Sequence, residues 1–433
     1  MPGSHFKTRT FPLAAALAAA SALGARAQGP SFDGGARPAE RATFEAPPVG
    51  ASATIDDRLW VALRAASRAE RARAAALGLA IEESSAGTVE GVATRSALAR
   101  LAAAGFAVVR SDSLRTKGFP APDAAYRDYA ETQAELAAIV SRLPRLASLV
   151  ELGETAEGRK LTAVRFNSSA RGAAPSPKPG ALFVGNHHAR EHLSTEIPLL
   201  AARWLADNAS KPEAARLLET RDVYFLPLLN PDGAEFDVAA GGYRWQRKNM
   251  RPNEDGSKGV DLNRNYDSHW GEAGTSTRPS DETYGGSAAF SERESRALKA
   301  FLEARPNVQT MASYHSYGEL VLYPWSYTDE PLPDGPALRA FQTMARRMGG
   351  WTGYAPAQSS ELYPSSGDTC DWAWAARGVF CFTFELTPRS GSGGGFYPGA
   401  AAIEPTFSKN LPAILYLIDL ADDPLRAGGS PSL

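Results

Sequence analysis

The chain is poor in several things. It has two cysteines in 433 residues, Cys370 and Cys381, and neither falls in a Cys-x-x-Cys pair. That excludes a structural site of the cysteine–zinc kind. Its formal net charge is only -2 at pH 7, which recommends neither nucleic acid nor an anionic membrane as partner. Beyond the N-terminus no apolar run is long enough to span a bilayer. No internal repeat is visible. What is present is a hydrophobic fraction of 43%, ample for a large core, over a length that suggests two or three domains.

The N-terminus has the order of a secretory signal. Lys7 and Arg9 precede an alanine-rich apolar run at 11–24, and Ala25-Arg26-Ala27 is a small-x-small cleavage pattern. That order fits a signal peptide over 1–27 better than a buried alanine-rich helix. Export to a secreted or periplasmic location follows, in an oxidising compartment. A disulfide between the two cysteines is then open, and spacing alone does not decide it. Residues 28–54, rich in Gly, Pro, Ala and Ser, read as a linker.

Residues 55–112 carry the pattern of a small α+β unit. Strands are expected at 59–66, 79–83, 88–93 and 107–110, and helices at 68–77 and 96–104. The order β-α-β-β-α-β is ferredoxin-like. Residues 113–124 are polar and proline-bearing, with Arg110, Arg115 and Lys117 at hand, and read as a linker or cleavage segment. From 125 to 422 strands and helices alternate. Strands are expected at 149–152, 161–167, 181–186, 223–229, 310–314, 320–323 and 380–386. Helices are expected at 126–142, 197–208 and 291–304, the last capped by Ser291. The fold class is therefore α/β, a mixed parallel and antiparallel sheet between helices. Residues 423–433 read as a disordered tail.

In such sheets functional residues gather at strand ends. His188, Glu191, Asn230, His315 and Glu385 all fall there in this reading. His188 and Glu191, three apart, can grip one metal ion, and His315 offers a third ligand. Zinc in hydrolytic sites takes three protein ligands and leaves one position open. His187 and His192 are neighbours without an assigned part. Strand alternation puts Cys381, Thr383 and Glu385 on one face and Phe382, Phe384 and Leu386 on the other. On pattern alone Glu385 is as well read as a structural carboxylate with an Arg partner as a catalytic one.

An ordered set of motifs then resembles one family, the zinc metallocarboxypeptidases of the carboxypeptidase A, B and T group (funnelins). The set is His188-Ala189-Arg190-Glu191, Asn230-Pro231-Asp232-Gly233, Arg247-Lys248, Gly259-Val260-Asp261-Leu262-Asn263-Arg264-Asn265, Ser313-Tyr314-His315-Ser316-Tyr317, Tyr363, Asp371-Trp372 and Phe382-Thr383-Phe384-Glu385-Leu386. It spans roughly residues 125–420, and the leading unit resembles the family's inhibitory prodomain. The resemblance implies one Zn2+ per chain, held by His188, Glu191 and His315, with Asp261 orienting His188 from behind. It implies Glu385 as general base and acid, and Arg247 as the oxyanion contact. Asn263 and Arg264 would hold the substrate's C-terminal carboxylate, Arg190 would be a secondary carboxylate or backbone contact, and Tyr363 would close over the bound end. Ser316, Tyr317 and Thr383 would line the cleft. Cys370 takes the place of the residue that floors the side-chain pocket, with Asp368 close by, which implies a broad or apolar-leaning preference. A Cys370–Cys381 disulfide beneath that pocket and two free thiols stand as equal alternatives.

The expected function is zinc-dependent release of single C-terminal amino acids by a monomeric enzyme made as a zymogen. Its expected partners are peptide or protein C-termini and an activating protease, with neither nucleic acid nor membrane. The rival readings are a cell-wall peptide amidase or γ-glutamyl-diamino-acid peptidase, and a non-catalytic binding module on the same fold.

Overall fold

The computed structural model describes residues 58–428, apart from 86, 114–116, 119–122 and 239–241. The expected signal peptide and linker, and the last five residues of the expected tail, lie outside the described residues.

The N-terminal unit runs β1 (Arg58–Arg64), α1 (Arg68–Ala76), β2 (Ala80–Ser85), β3 (Thr88–Thr94), α2 (Arg95–Ala103) and β4 (Val108–Ser113). Its sheet has the order β2-β3-β1-β4, antiparallel throughout, which is the ferredoxin-like arrangement. Ser67 caps α1 in a reciprocal box with Glu70, and Thr94 caps α2. Val61, Leu63 and Val89 bury against Ala74, Leu98 and Leu101 as the alternation requires. One irregularity interrupts the sheet. The β2–β3 register passes from Ile81↔Gly91 to Glu83↔Glu90, so Glu82 is an extra, bulged residue. Gly91 permits this, because a Cβ there would lie 1.9 Å from the Ala80 carbonyl oxygen.

A two-residue ladder joins β5 (Lys117–Gly118), inside the expected linker or cleavage segment, to β10 (Gly242–Tyr243). The large unit contains α3 (Tyr129–Arg142), β6 (Ala147–Glu154), β7 (Lys160–Phe166), β8 (Gly180–Gly185), α4 (His192–Asp207), α5 (Pro212–Thr220), β9 (Asp222–Leu226) and α6 (Pro231–Val238). It continues with α7 (Arg293–Glu303), β11 (Val308–Ser316), β12 (Leu320–Tyr323), α8 (Pro336–Thr352), β13 (Ala355–Gln358), α9 (Thr369–Arg377), β14 (Phe380–Leu386) and α10 (Ile403–Leu420). Eight of its strands form one sheet in the order β13-β12-β14-β11-β8-β9-β7-β6. The central β14-β11-β8-β9 run is parallel, and the flanking pairs bring antiparallel steps. Strand alternation divides the apolar side chains between two cores. Phe183, Phe225, Tyr314, Phe382 and Phe384 pack under α3, α4, α8 and α10. Leu182, Val184, Tyr224, Met311 and Cys381 pack under α7 and α9.

Five helices were not anticipated: α5, α6, α8, α9 and α10. The helix expected to be capped by Ser291 starts two residues later, and the residue at its cap position, Glu292, makes no capping bond. Ser291 Oγ donates instead to Glu292 Oε1 at 2.7 Å. The parallel centre sets the site. The carboxyl ends of β8, β11 and β14 lie side by side, and His315 pairs in register with Glu385.

Candidate active site

The strand β8 ends at Gly185, and the chain reverses through Asn186 in the left-handed region (φ 57). It must turn tightly, since a Cβ on Gly185 would meet the Ser194 carbonyl at 2.2 Å. That turn presents His188 and delivers Glu191 to the mouth of α4. His188 Nδ1 is 2.7 Å from Glu191 Oε1, His315 Nδ1 is 3.0 Å from Glu191 Oε2, and the two Nδ1 atoms are 3.2 Å apart. The three side chains are buried, and their ligand atoms lie within 4.8 Å of one another. Two imidazole nitrogens and a carboxylate oxygen converging on one point suit zinc.

Outside this triad, His188 donates from Nε2 to Asp261 Oδ1 at 3.0 Å, which leaves Nδ1 free for the metal. Asp261 also accepts from Arg247 Nε at 2.9 Å and from the Asn263 backbone N–H at 3.0 Å. Burial alone would raise the Asp261 carboxyl, but Arg247, His188 and Arg264 outweigh it and hold it well below the usual range. Glu385 is partly open to the cavity and, among the described residues, pairs with no Lys or Arg. Burial, then the charges of Glu191 and Glu82, push its carboxyl well above the ordinary value. The Arg247 charge acts against that rise, and among the described residues no Lys or Arg forms an ion pair with Glu385.

Asn263 and Arg264 sit on a short 3-10 turn, residues Leu262–Arg264, whose N-cap is Asp261. Arg264 donates from Nη2 to the Tyr363 hydroxyl at 2.8 Å. The Asn263 amide is held on both sides. Its Oδ1 accepts from Thr369 N and Thr369 Oγ1, and its Nδ2 donates to Asp368 Oδ2 at 2.9 Å. Asp368 Oδ1 caps α9 through the Cys370 and Asp371 N–H groups. Arg190 is fully buried, with Glu282 at 3.3 Å and the Phe396 ring centroid at 4.3 Å.

One cavity is lined by His188, Glu191, Arg247, Asn263, Arg264, His315, Ser316, Tyr317, Tyr363, Asp368, Thr383 and Glu385, joined by Ser326 and Ser365. Two expected members stand elsewhere. Arg190 and Cys370 are not in the lining. Cys370 is bonded to Cys381, and its Sγ lies 3.5 Å behind the Thr383 hydroxyl. The pocket wall is thus the polar Thr383, and the disulfide is one layer deeper, because Cys381 shares the Thr383 face of β14 but lies two residues further from the strand's carboxyl end, within the core under α7 and α9.

The lining also holds residues that the sequence reading does not single out, Ser326 and Ser365 among them, and two of these come from the N-terminal unit. Ile81 and Glu82 of β2 reach into the same cavity. The Glu82 carboxylate is ion-paired with Arg190 and lies 3.5 Å from Arg247 Nη1. Next to it, Glu83 Oε1 accepts from the Tyr317 hydroxyl at 2.8 Å and the Gly391 N–H at 2.6 Å. An unbroken strand would point these neighbours to opposite faces. The bulge turns both toward the large unit, and nothing in the local sequence announces it.

Known proteins bear on this geometry. The zinc carboxypeptidase family matches residues 132–413. The zinc carboxypeptidase of Saccharothrix mutabilis subsp. capreolus is 33% identical over 316 residues, covering 71% of this chain and 72% of that protein. Carboxypeptidase A1 of Homo sapiens is 31% identical over 304 residues, with 68% and 70% covered. The solved carboxypeptidase A of Helicoverpa armigera shares the fold with a TM-score of 0.68, covering 88% of this chain and 99% of its own at 20% identity. With a His–Glu–His cluster fit for zinc and a family match over most of the large unit, this chain is a metal-dependent hydrolase that belongs to the zinc carboxypeptidase family.

Proposed function

We propose that the mature protein removes single C-terminal residues from peptides and proteins by attack of an activated water. The observation that carries this reading is the one cavity that joins a His188–Glu191–His315 cluster, Glu385 and the Asn263–Arg264 pair. Zinc held by the three ligands supplies a Lewis acid that acidifies water and polarises a carbonyl. Glu385, with its raised affinity for a proton, accepts one from the attacking water and passes it to the leaving amine. Arg247 donates to the developing oxyanion while Asp261 fixes its direction. Asn263 and Arg264 take the substrate's α-carboxylate, and Tyr363 covers it. Asp368 and Thr383, with Ser326 and Ser365, receive the side chain. That wall is polar rather than apolar, which supports a broad preference.

The full chain is read as an exported zymogen. Residues 1–27 act as the signal peptide, 55–112 as the prodomain, 113–124 as the segment cut by an activating protease, and 125–422 as the enzyme. The support is Glu82, which occupies the Arg190–Arg247 pair that a substrate would need. With β2 in place the cavity holds about 60 Å³, room for a few waters against roughly 300–1,000 Å³ in ordinary ligand sites.

The test is a scan of C-terminal residues with purified, processed protein, with and without a chelator. Activity that survives complete zinc removal sinks the mechanism. Release of products from cell-wall peptides, with none from ordinary peptides, transfers the site to the amidase reading.

A further inference from the structure

Behind the His188–Glu191–His315 cluster lies a buried chain of hydrogen bonds that the proposed reaction does not employ. It runs from Asn263 through Thr369, His187 and Ser313 to His315. Thr369 Oγ1 is 2.8 Å from Asn263 Oδ1 and 3.0 Å from His187 Nε2. Ser313 Oγ is 3.2 Å from His187 Nδ1 and 3.1 Å from His315 Nε2. Every side chain in the chain is buried, and the His187 and His315 rings stack at 5.3 Å.

The direction of each bond follows from one end. Asn263 cannot be flipped, because the Thr369 backbone N–H only donates and the Asp368 carboxylate only accepts. Its Oδ1 therefore faces Thr369 and can only accept. The single Thr369 hydroxyl proton points at that oxygen, so Thr369 Oγ1 must accept from His187. His187 then carries its proton on Nε2, with Tyr266 Oη at 3.1 Å as a second acceptor. A bare Nε2 would instead set two lone pairs against each other at 3.0 Å. His187 Nδ1 is thus an acceptor and takes the Ser313 proton. Ser313 Oγ is left to accept from His315 Nε2–H. The His315 proton is on the far nitrogen, and Nδ1 faces Glu191 and His188 with its lone pair.

We propose that His187, acting through Ser313, is a positioning residue that locks His315 in its metal-binding tautomer and takes its own tautomer from the Asn263 end of the site. His188 has a carboxylate, Asp261, for the same task. His315 has this neutral relay, and its reference point is the residue that grips substrate. The inference rests on the reading of His315 as a zinc ligand.

The experiment is zinc affinity by chelator competition on purified, processed protein, with thermal unfolding as the check on folding. His187→Leu keeps the packing and removes both polar contacts. Loss of such an outer partner lowers metal affinity about 10- to 100-fold, and that loss is expected. His187→Gln offers an acceptor and a donor in similar places and is expected to restore most of the affinity. Should the Leu variant fail to fold, Ser313→Ala removes one oxygen and is expected to lose affinity in the same way. Wild-type affinity in the folded Leu or Ala variant, or a Gln variant no better than Leu, overturns the proposal. His315→Ala is the separate control. If it binds zinc as tightly as wild type, the ligand assignment itself falls.

Discussion

Consider Glu82→Ala in the uncleaved chain. Removing one partner of a buried ion pair costs about 3–5 kcal/mol when the other charge is left alone. Here neither arginine is left alone. Arg190 keeps Glu282 at 3.3 Å and the Phe396 ring, and Arg247 keeps Asp261 at 2.9 Å. The Glu82 carboxyl is itself raised by burial against the pull of Arg190 and Arg247, so part of its attraction is already offset. A loss of about 2 kcal/mol is therefore the reasonable figure, or roughly thirtyfold in the opening equilibrium. The N-terminal unit stays attached, since Glu83 still holds Tyr317 and Gly391, and Arg100 still pairs with Asp281. The assay is hydrolysis of a blocked dipeptide by the uncleaved variant, the uncleaved wild type and the processed enzyme. The uncleaved variant should rise by about thirtyfold above uncleaved wild type and remain below the processed enzyme. If it stays as silent as uncleaved wild type, Glu82 is not what closes the site.

Three further outcomes are expected. Glu385→Gln in the processed enzyme should keep its zinc and lose about 10²- to 10⁴-fold in turnover; kcat and metal content measured together decide it. Replacing Cys370 and Cys381 together by Ala removes a cross-link between residues 11 apart, which should lower unfolding free energy by about 3 kcal/mol in denaturant titrations. Glu294 is buried, and burial, then Glu292, push its carboxyl up to about 7 from 4.5. Between those two values the unfolded chain loses the proton and the folded chain keeps it. Stability should therefore fall by about 3 kcal/mol as pH rises through that window. Urea unfolding of wild type and Glu294→Gln at several pH values checks this, because the variant should lack that part of the slope.

Much of the architecture was legible because it rests on local periodicity. The strands β8, β11 and β14 are apolar runs of the right length. The ferredoxin-like unit showed as six short segments in the right order. Helices α8, α9 and α10 were missed. Pro336 and Pro412 interrupt the local helical pattern, although one starts α8 and the other is accommodated inside α10. The start of α9 was hidden because its first residues serve the site: Asp368 caps the helix and faces the cavity at once.

The sequence by itself determined the inventory of chemistry. It held a His–x–x–Glu pair, a second histidine at a strand end and a carboxylate on the polar face of an apolar strand. These depend on residue type and on the two-residue period of a strand, and both are local. Tertiary structure decided what met what. It placed Thr383 rather than Cys370 at the pocket wall, closed the Cys370–Cys381 bond behind it, and strung His187 between His315 and Asn263 through Ser313 and Thr369. It also turned Glu82 into the cleft, through a bulge that only the bare Cα of Gly91, on the neighbouring strand, allows. Such contacts join residues far apart in the chain, and their partners are chosen by sheet order and strand register, which no local pattern encodes.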